Sequence, residues 1–96
     1  MPDMLTQLES IIHDRKANPR PDSYTNSLFA AGRNKIAQKV GEEAVEVIVA
    51  ALGQTRERQI EELADLLYHL LVLTTDCDIT LADVEAELRK RHGGEA

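Results

Sequence analysis

The sequence predicts an all-α fold: one domain built as a four-helix bundle and completed by dimerisation. Three observations carry this. The favoured residues are Ala, Leu, Glu, Arg and Gln, which are helix formers. Apolar residues recur at helical spacing in four segments, and the longest run of β-branched residues is only Val47-Ile48-Val49. At 96 residues there is room for one core and not two.

The first helix is expected from about Met4 to Lys16, with Asp3 as N-cap and Leu5, Leu8, Ile11 and Ile12 on one face. Asn18-Pro19-Arg20-Pro21 stops it, because proline disfavours helix at the residue before it. The polar stretch Asp22 to Ser27 then leads into Leu28-Phe29-Ala30-Ala31, read as a loop and a short turn of helix. The second helix runs from about Arg33 to Leu52, with Gly53 as its cap. The third starts near Arg56, capped by Thr55, and runs to about Thr75. The fourth is marked by a capping box, Thr80 with Asp83, and by the stripe Leu81, Val84 and Leu88. Its basic end, Arg89 to His92, suits the negative helix terminus, and Gly93-Gly94 closes it, with fraying expected from Gly94 to Ala96.

The third helix is apolar on nearly all sides. Ile60, Leu63, Ala64, Leu67 and Leu71 form one stripe, and Leu66, Leu70, Val72 and Leu73 occupy much of the rest. Such a helix is buried on nearly all sides. Four short helices can hardly enclose it, so a second subunit is expected against it, with Leu66, Leu70 and Leu73 or their neighbours buried there.

Composition excludes several classes. The net charge of −6 argues against a nucleic-acid-binding surface, which needs a basic patch. An acidic protein still acts on phosphates when a divalent cation lies between them. The single Cys77 excludes an internal disulfide and a cysteine zinc cluster, and is read as a reduced, half-buried thiol. No apolar run reaches the length of a membrane span, and the N-terminus lacks the regions of a signal peptide, so the cytoplasm is the expected compartment.

The stretch QKVGEEAVEVIVAA, Gln38 to Ala51, raises the functional question. Val40, Ala44, Val47, Ile48 and Ala51 give it a core-like stripe, yet it carries Glu42, Glu43 and Glu46. At about 100° per residue with Ile36 at zero, Val40 and Val47 fall within about 40°, and Glu43 about 20° to the other side. Glu43 therefore sits inside the apolar stripe. Glu46 lies roughly 60° further round, on its edge, and Glu42 is on the solvated side. On the third helix Glu62 and Asp65 repeat the same spacing, opposite Ile60 and Leu67. Residues at i and i+3 lie roughly 5–6 Å apart at Cβ. Four carboxylates brought together need either protonation or a cation. Oxygen ligands without cysteine suit a hard ion, magnesium or manganese. A di-iron bundle would need Glu-x-x-His motifs, and none is present. The blander reading is that acid runs on helices are solvated faces, and it applies to Glu42 and Glu61 first.

The basic residues near the acids are Arg33, Lys35 and Lys39. Lys39 is either an i+4 salt-bridge partner of Glu43 or a phosphate contact. His69, four residues after Asp65, either orients a carboxylate, touches substrate, or is a surface histidine.

The combination of Ser23-Tyr24-Thr25, Lys39-Val40-Gly41-Glu42-Glu43-Ala44-x-Glu46 and Glu61-Glu62-x-x-Asp65-Leu66-Leu67-Tyr68-His69 resembles the phosphoribosyl-ATP pyrophosphatases of histidine biosynthesis. These belong to the MazG-type all-α nucleoside triphosphate pyrophosphohydrolases. The ending, Leu81-x-Asp83-Val84 with Leu88 and Arg91, is also similar, and the resemblance spans roughly Leu5 to Arg91. It implies a MazG-like bundle and magnesium-dependent hydrolysis of phosphoribosyl-ATP to phosphoribosyl-AMP and pyrophosphate. It implies Glu43, Glu46, Glu62 and Asp65 as metal ligands. It implies that Lys39 and Ser23-Tyr24-Thr25 hold substrate, with Lys35 and His69 as further candidates. Glu42, outside the metal shell, is then the candidate to position or deprotonate water. The family also implies a dimer, and this chain would be its stand-alone form, without the cyclohydrolase to which some members are fused. Two other functions remain open at this stage: a house-cleaning nucleotide pyrophosphatase, and a non-enzymatic helical dimerisation module.

Overall fold

The computed structural model describes residues 3–93. They form five helices: α1 (Met4–Ala17), α2 (Tyr24–Ala31), α3 (Arg33–Gly53), α4 (Arg56–Asp76) and α5 (Leu81–His92). No strand occurs among the described residues. The expected third and fourth helices are α4 and α5.

Local chemistry sets most boundaries. The Asp3 carboxylate accepts the Thr6 N–H at 2.8 Å and starts α1. Thr55 caps α4 by accepting the Arg58 N–H at 3.2 Å. The capping box of α5 is complete: Asp83 N–H donates to the Thr80 hydroxyl at 3.0 Å, and Thr80 N–H to the Asp83 carboxylate at 2.9 Å.

The segment read as a loop and a short turn of helix is helical already from Tyr24, as the eight-residue α2. Ser23 caps it, accepting the Asn26 N–H at 3.2 Å. Asn26 then fixes the chain before it. Its amide donates to the Arg15 carbonyl at 2.6 Å and accepts the Arg20 N–H at 2.7 Å. Gly32 alone joins α2 to α3, at φ 98°, a conformation glycine adopts without steric cost. Gly53, expected as a cap, remains helical, and Gln54 in extended conformation is the cap. The short Gln54-Thr55 link leaves no room for a left-handed turn before α4 begins. Gly93 caps α5 in a right-handed conformation. The closure and fraying expected at Gly94 to Ala96 lie outside the described residues.

Helices α3 and α4, 21 residues each, run antiparallel and pack along their length. Each is about 30 Å long. Helices α1 and α2 cover one end of this hairpin. The core sits there: Ile12, Leu28, Ile36, Leu71 and Val72, with Leu5, Leu8, Phe29, Tyr68, Leu73 and Leu81 packed around it. Arg33 closes the same end, donating to the Asp76 carboxylate at 2.7 Å and to its carbonyl at 2.9 Å. Lys16 reaches across from α1 to the Thr75 carbonyl at 3.2 Å. Cys77, half-buried as expected, caps α4. Helix α5 is tethered where Leu81 N–H donates to Glu9 at 2.7 Å, but its Val84 and Leu88 are exposed.

The connector end of the hairpin is left open. Val45, Ile48, Val49 and Leu52 on α3, and Ile60, Leu63 and Leu67 on α4, are exposed, Leu52 by 84%. Ala50, not Ile48 or Ala51, is the buried residue of that part of α3. Leu66, Leu70 and Leu73, expected on the uncovered side, are half-buried within the chain. Both apolar sides of α4 had been visible, but not which one its own bundle takes. The radius of gyration is 14.7 Å, against about 12–13 Å for a compact chain of this length.

Candidate active site

The acids lie on the hairpin, beyond the core. Glu43 projects from α3, and Glu62 and Asp65 from α4. Carboxylate oxygens of the three lie within 4.8 Å of one another. Glu62 is buried, Glu43 half-buried and Asp65 exposed. The i+3 step on α4 points both of its acids across the seam to one position on α3. Glu46, one turn along, is exposed and is not among the three that converge. Glu42 is exposed beside them.

Charge crowding is relieved by two cations. The Lys39 ammonium stands 3.6 Å from Glu42 and 3.7 Å from Glu43. These distances are long for a charge-assisted hydrogen bond, so the pairing is loose. The Tyr24 hydroxyl first, then Glu42 and Glu43, hold the Lys39 ammonium above its ordinary pKa. Arg58 is held more closely. One arm of its guanidinium donates to Glu61 at 2.5 Å and the other to Glu62. Asp65 has no ion-pair partner among the described residues. Glu42 accepts a hydrogen bond from the Gln38 amide at 2.9 Å, which with Lys39 holds its carboxyl below the usual range.

Arg33, from the expected basic set, is committed to Asp76 at the core end. Lys35 is exposed and adds to the positive field at Glu42. Sequence reasoning missed Arg58, although it stands one turn before Glu62, the spacing that singled out Lys39 for Glu43.

A polar aromatic cluster joins α2 to α4. His69 is buried at 5% exposure, not a surface residue. Its Nδ1–H donates to the Asp65 carbonyl at 2.7 Å, one turn back. That leaves Nε2 to accept from the Tyr24 hydroxyl, 3.1 Å away. Thr25 and Tyr68 are joined through their hydroxyls, and Tyr24 stacks on Tyr68 with centroids 6.2 Å apart. Burial pushes the Tyr68 phenol up. Ser23, a candidate substrate contact, uses its hydroxyl oxygen to cap α2, while its proton remains available. The triplet Ser23-Tyr24-Thr25 thus starts a helix and pins it to the helix that carries Glu62 and Asp65.

The donor set fits a hard divalent cation. All three groups are carboxylates, they come from two packed helices, and one of them is nearly solvent-free. Magnesium bonds oxygen at about 2.0–2.1 Å, so modest side-chain rotation would bring the three onto one ion. A cleft of about 620 Å³ opens at the other end of α4, lined by His13, Lys16, Thr75 and Ile79 among others. It contains none of the acids, and its lone Asp78 is already paired with Lys16 at 3.7 Å.

Residues 5–92 match the phosphoribosyl-ATP pyrophosphohydrolase family. The phosphoribosyl-ATP pyrophosphatase of Pyrobaculum neutrophilum is 53% identical over 93% of this chain and 95% of its own length. That of Paramagnetospirillum magneticum is 52% identical over 94% of this chain and 83% of its own. The histidine biosynthesis bifunctional protein HisIE of Pyrococcus furiosus is 57% identical over 92% of this chain, which covers 41% of that longer protein.

The Tyr24–His69 bond has a measurable consequence. Tyr24→Phe leaves a buried ring nitrogen without a donor, and an unsatisfied buried group costs about 1–3 kcal/mol. Urea denaturation is expected to show a loss in that range, and a midpoint equal to wild type would mean the bond does not form.

Proposed function

This chain belongs to the phosphoribosyl-ATP pyrophosphohydrolase family and hydrolyses phosphoribosyl-ATP to phosphoribosyl-AMP and pyrophosphate; we propose that it does so at the Glu43–Glu62–Asp65 cluster, with magnesium, or manganese in its place, held there. The observation that carries the proposal is the convergence of three carboxylates from two helices, within the part of the chain that matches the family. Carboxylates repel a phosphate chain, so an acidic centre acting on one needs a cation between them.

Glu43, Glu62 and Asp65 would hold the metal, and Glu46, one turn along α3, would join them only by turning its side chain toward them. When bound, the ion neutralises phosphate charge and makes a bound water more acidic. Glu42 stays outside this group. As an exposed carboxylate, it accepts a hydrogen bond from the attacking water, orients it and takes up its proton. Lys39 is loosely paired and turns to the phosphates, stabilising charge on the departing pyrophosphate. Lys35 adds a second ammonium on the exposed side. Tyr24, Thr25 and the free proton of Ser23 form the α2 side of the substrate site, and His69 holds Tyr24 in place.

A second copy of this chain covers the open end of the hairpin. Its apolar residues, Val45, Ile48 and Val49 on α3 with Ile60 and Leu63 on α4, occupy the same turns as the acids. The partner therefore walls the site as well as completing the core. No helix among the described residues is long and apolar enough to cross a membrane.

The direct assay is pyrophosphate release from phosphoribosyl-ATP with and without magnesium, with dCTP and dUTP for comparison. Release is expected only with metal, and dCTP or dUTP turned over equally well would overturn the substrate assignment. In that assay Glu43→Gln and Glu62→Gln are expected to lose at least about 100-fold in turnover with unchanged helical content by circular dichroism. Near-normal turnover in either variant would remove that residue from the ligand set.

Lys39→Met separates two roles. As a phosphate contact it is expected to raise KM or slow turnover by about 10-fold or more, while manganese binding without substrate changes little. A salt-bridge partner alone would cost about 0.2–0.5 kcal/mol of stability and leave the kinetics intact.

Light scattering at micromolar concentration is expected to show a dimer, and Ile48→Glu a monomer. A wild-type monomer would contradict the assembly.

A further inference from the structure

We infer that Arg58 is a resident counter-ion of the metal site, which a metal ion must displace from Glu62 in order to bind. This rests on the metal reading above and deepens it.

Arg58 is placed against its own helix. It lies in the first turn of α4, where the helix dipole disfavours a cation. Arg56 shares that turn but has no ion-pair partner among the described residues. Arg58 bends along the helix and divides its guanidinium between Glu61 and Glu62. The two contacts differ in kind. The Glu61 side chain is 61% exposed, so solvent already screens it. The Glu62 side chain is 7% exposed, and the guanidinium is its only cationic partner among the described residues. A buried carboxylate without a counter-charge is costly, so in the metal-free protein Arg58 makes ionised Glu62 tolerable beside Glu43 and Asp65.

The same carboxylate is the most enclosed member of the cluster. The guanidinium engages Oε1 of Glu62 and leaves Oε2, but two positive charges at one buried carboxylate repel. Metal entry therefore releases Arg58, whose side chain is half exposed and free to swing into solvent. The exchange lowers metal affinity and stabilises the metal-free fold, a trade that Lys39, at 3.7 Å from half-buried Glu43, makes only weakly.

The test is manganese binding to the intact chain without substrate, followed by the electron paramagnetic resonance signal of free ion at fixed ionic strength. Three proteins are compared: wild type, Arg58→Gln and Arg56→Gln. The last removes the same charge from the same helical turn without touching an acid. Arg58→Gln is expected to bind manganese about three- to tenfold more tightly than wild type, and Arg56→Gln within about twofold of it. Without metal, Arg58→Gln is expected to melt below both other proteins, and saturating manganese to close most of that gap. Equal tightening in both variants would reduce Arg58 to a distant charge and overturn the inference. Unchanged or weaker binding in Arg58→Gln would also overturn it, while leaving the metal site standing. A wild-type protein that binds no manganese would overturn the metal reading itself, and this inference with it.

Discussion

Three carboxylates held within 4.8 Å on the seam between two packed helices set the terms for the rest of this molecule. Like charges at that separation raise the free energy of the folded state, more so where Glu62 is withdrawn from water. The chain answers with cations one turn away on each helix, Lys39 on α3 and Arg58 on α4. The two are unequal. Arg58 grips the enclosed carboxylate with a planar fork, whereas Lys39 stands back with a compact charge that can serve elsewhere. Asp65 is exposed and has no such partner among the described residues.

The site can be strained in this way because stability is built elsewhere. The core of Ile12, Leu28, Ile36, Leu71 and Val72 ties α1 and α2 to one end of the hairpin. Polar links at that end, Arg33 to Asp76 and Lys16 to the Thr75 carbonyl, close it. From Thr75 to Glu62 along α4 is about 20 Å. The aromatic cluster lies between them and connects the two regions, with His69 bonded to Asp65 backbone on one side and Tyr24 on the other. Through it, the docking of short α2 onto the core fixes the turn of α4 that carries Asp65.

Helical periodicity made much of this legible in the sequence. It placed Glu43 inside an apolar stripe and Glu62 with Asp65 on one face of α4, because 100° per residue holds over the few turns involved. Thr80 with Asp83 and Thr55 also announced their helices, since a cap is a local interaction. What was not legible depends on contacts distant in sequence. The segment of α2 was read as a loop with only a short turn of helix, because the order of its start comes from Asn26 bonding to Arg15 and Arg20, which composition does not reveal. The uncovered face of α4 was expected at Leu66, Leu70 and Leu73 or their neighbours; among the described residues the exposed apolar side is Ile60, Leu63 and Leu67. Both faces are apolar, and only tertiary packing decides between them. Likewise Glu46 shares the acid spacing, yet its carboxylate does not converge with the other three.

An acid cluster that holds a metal ion stabilises the fold by an amount that grows with the logarithm of that ion's concentration above the dissociation constant, because the ion binds the folded state and not the unfolded one. The most direct measurement is therefore the thermal unfolding of the wild-type chain, without substrate, across a magnesium titration and against a calcium-free sodium control of equal ionic strength. The melting temperature is expected to rise by about 10 °C or more at 100 times the dissociation constant, where the stabilisation is about 2.7 kcal/mol, and to keep rising with the logarithm of magnesium concentration. A melting temperature that follows ionic strength alone, with no difference between magnesium and sodium, would contradict a metal centre at Glu43, Glu62 and Asp65.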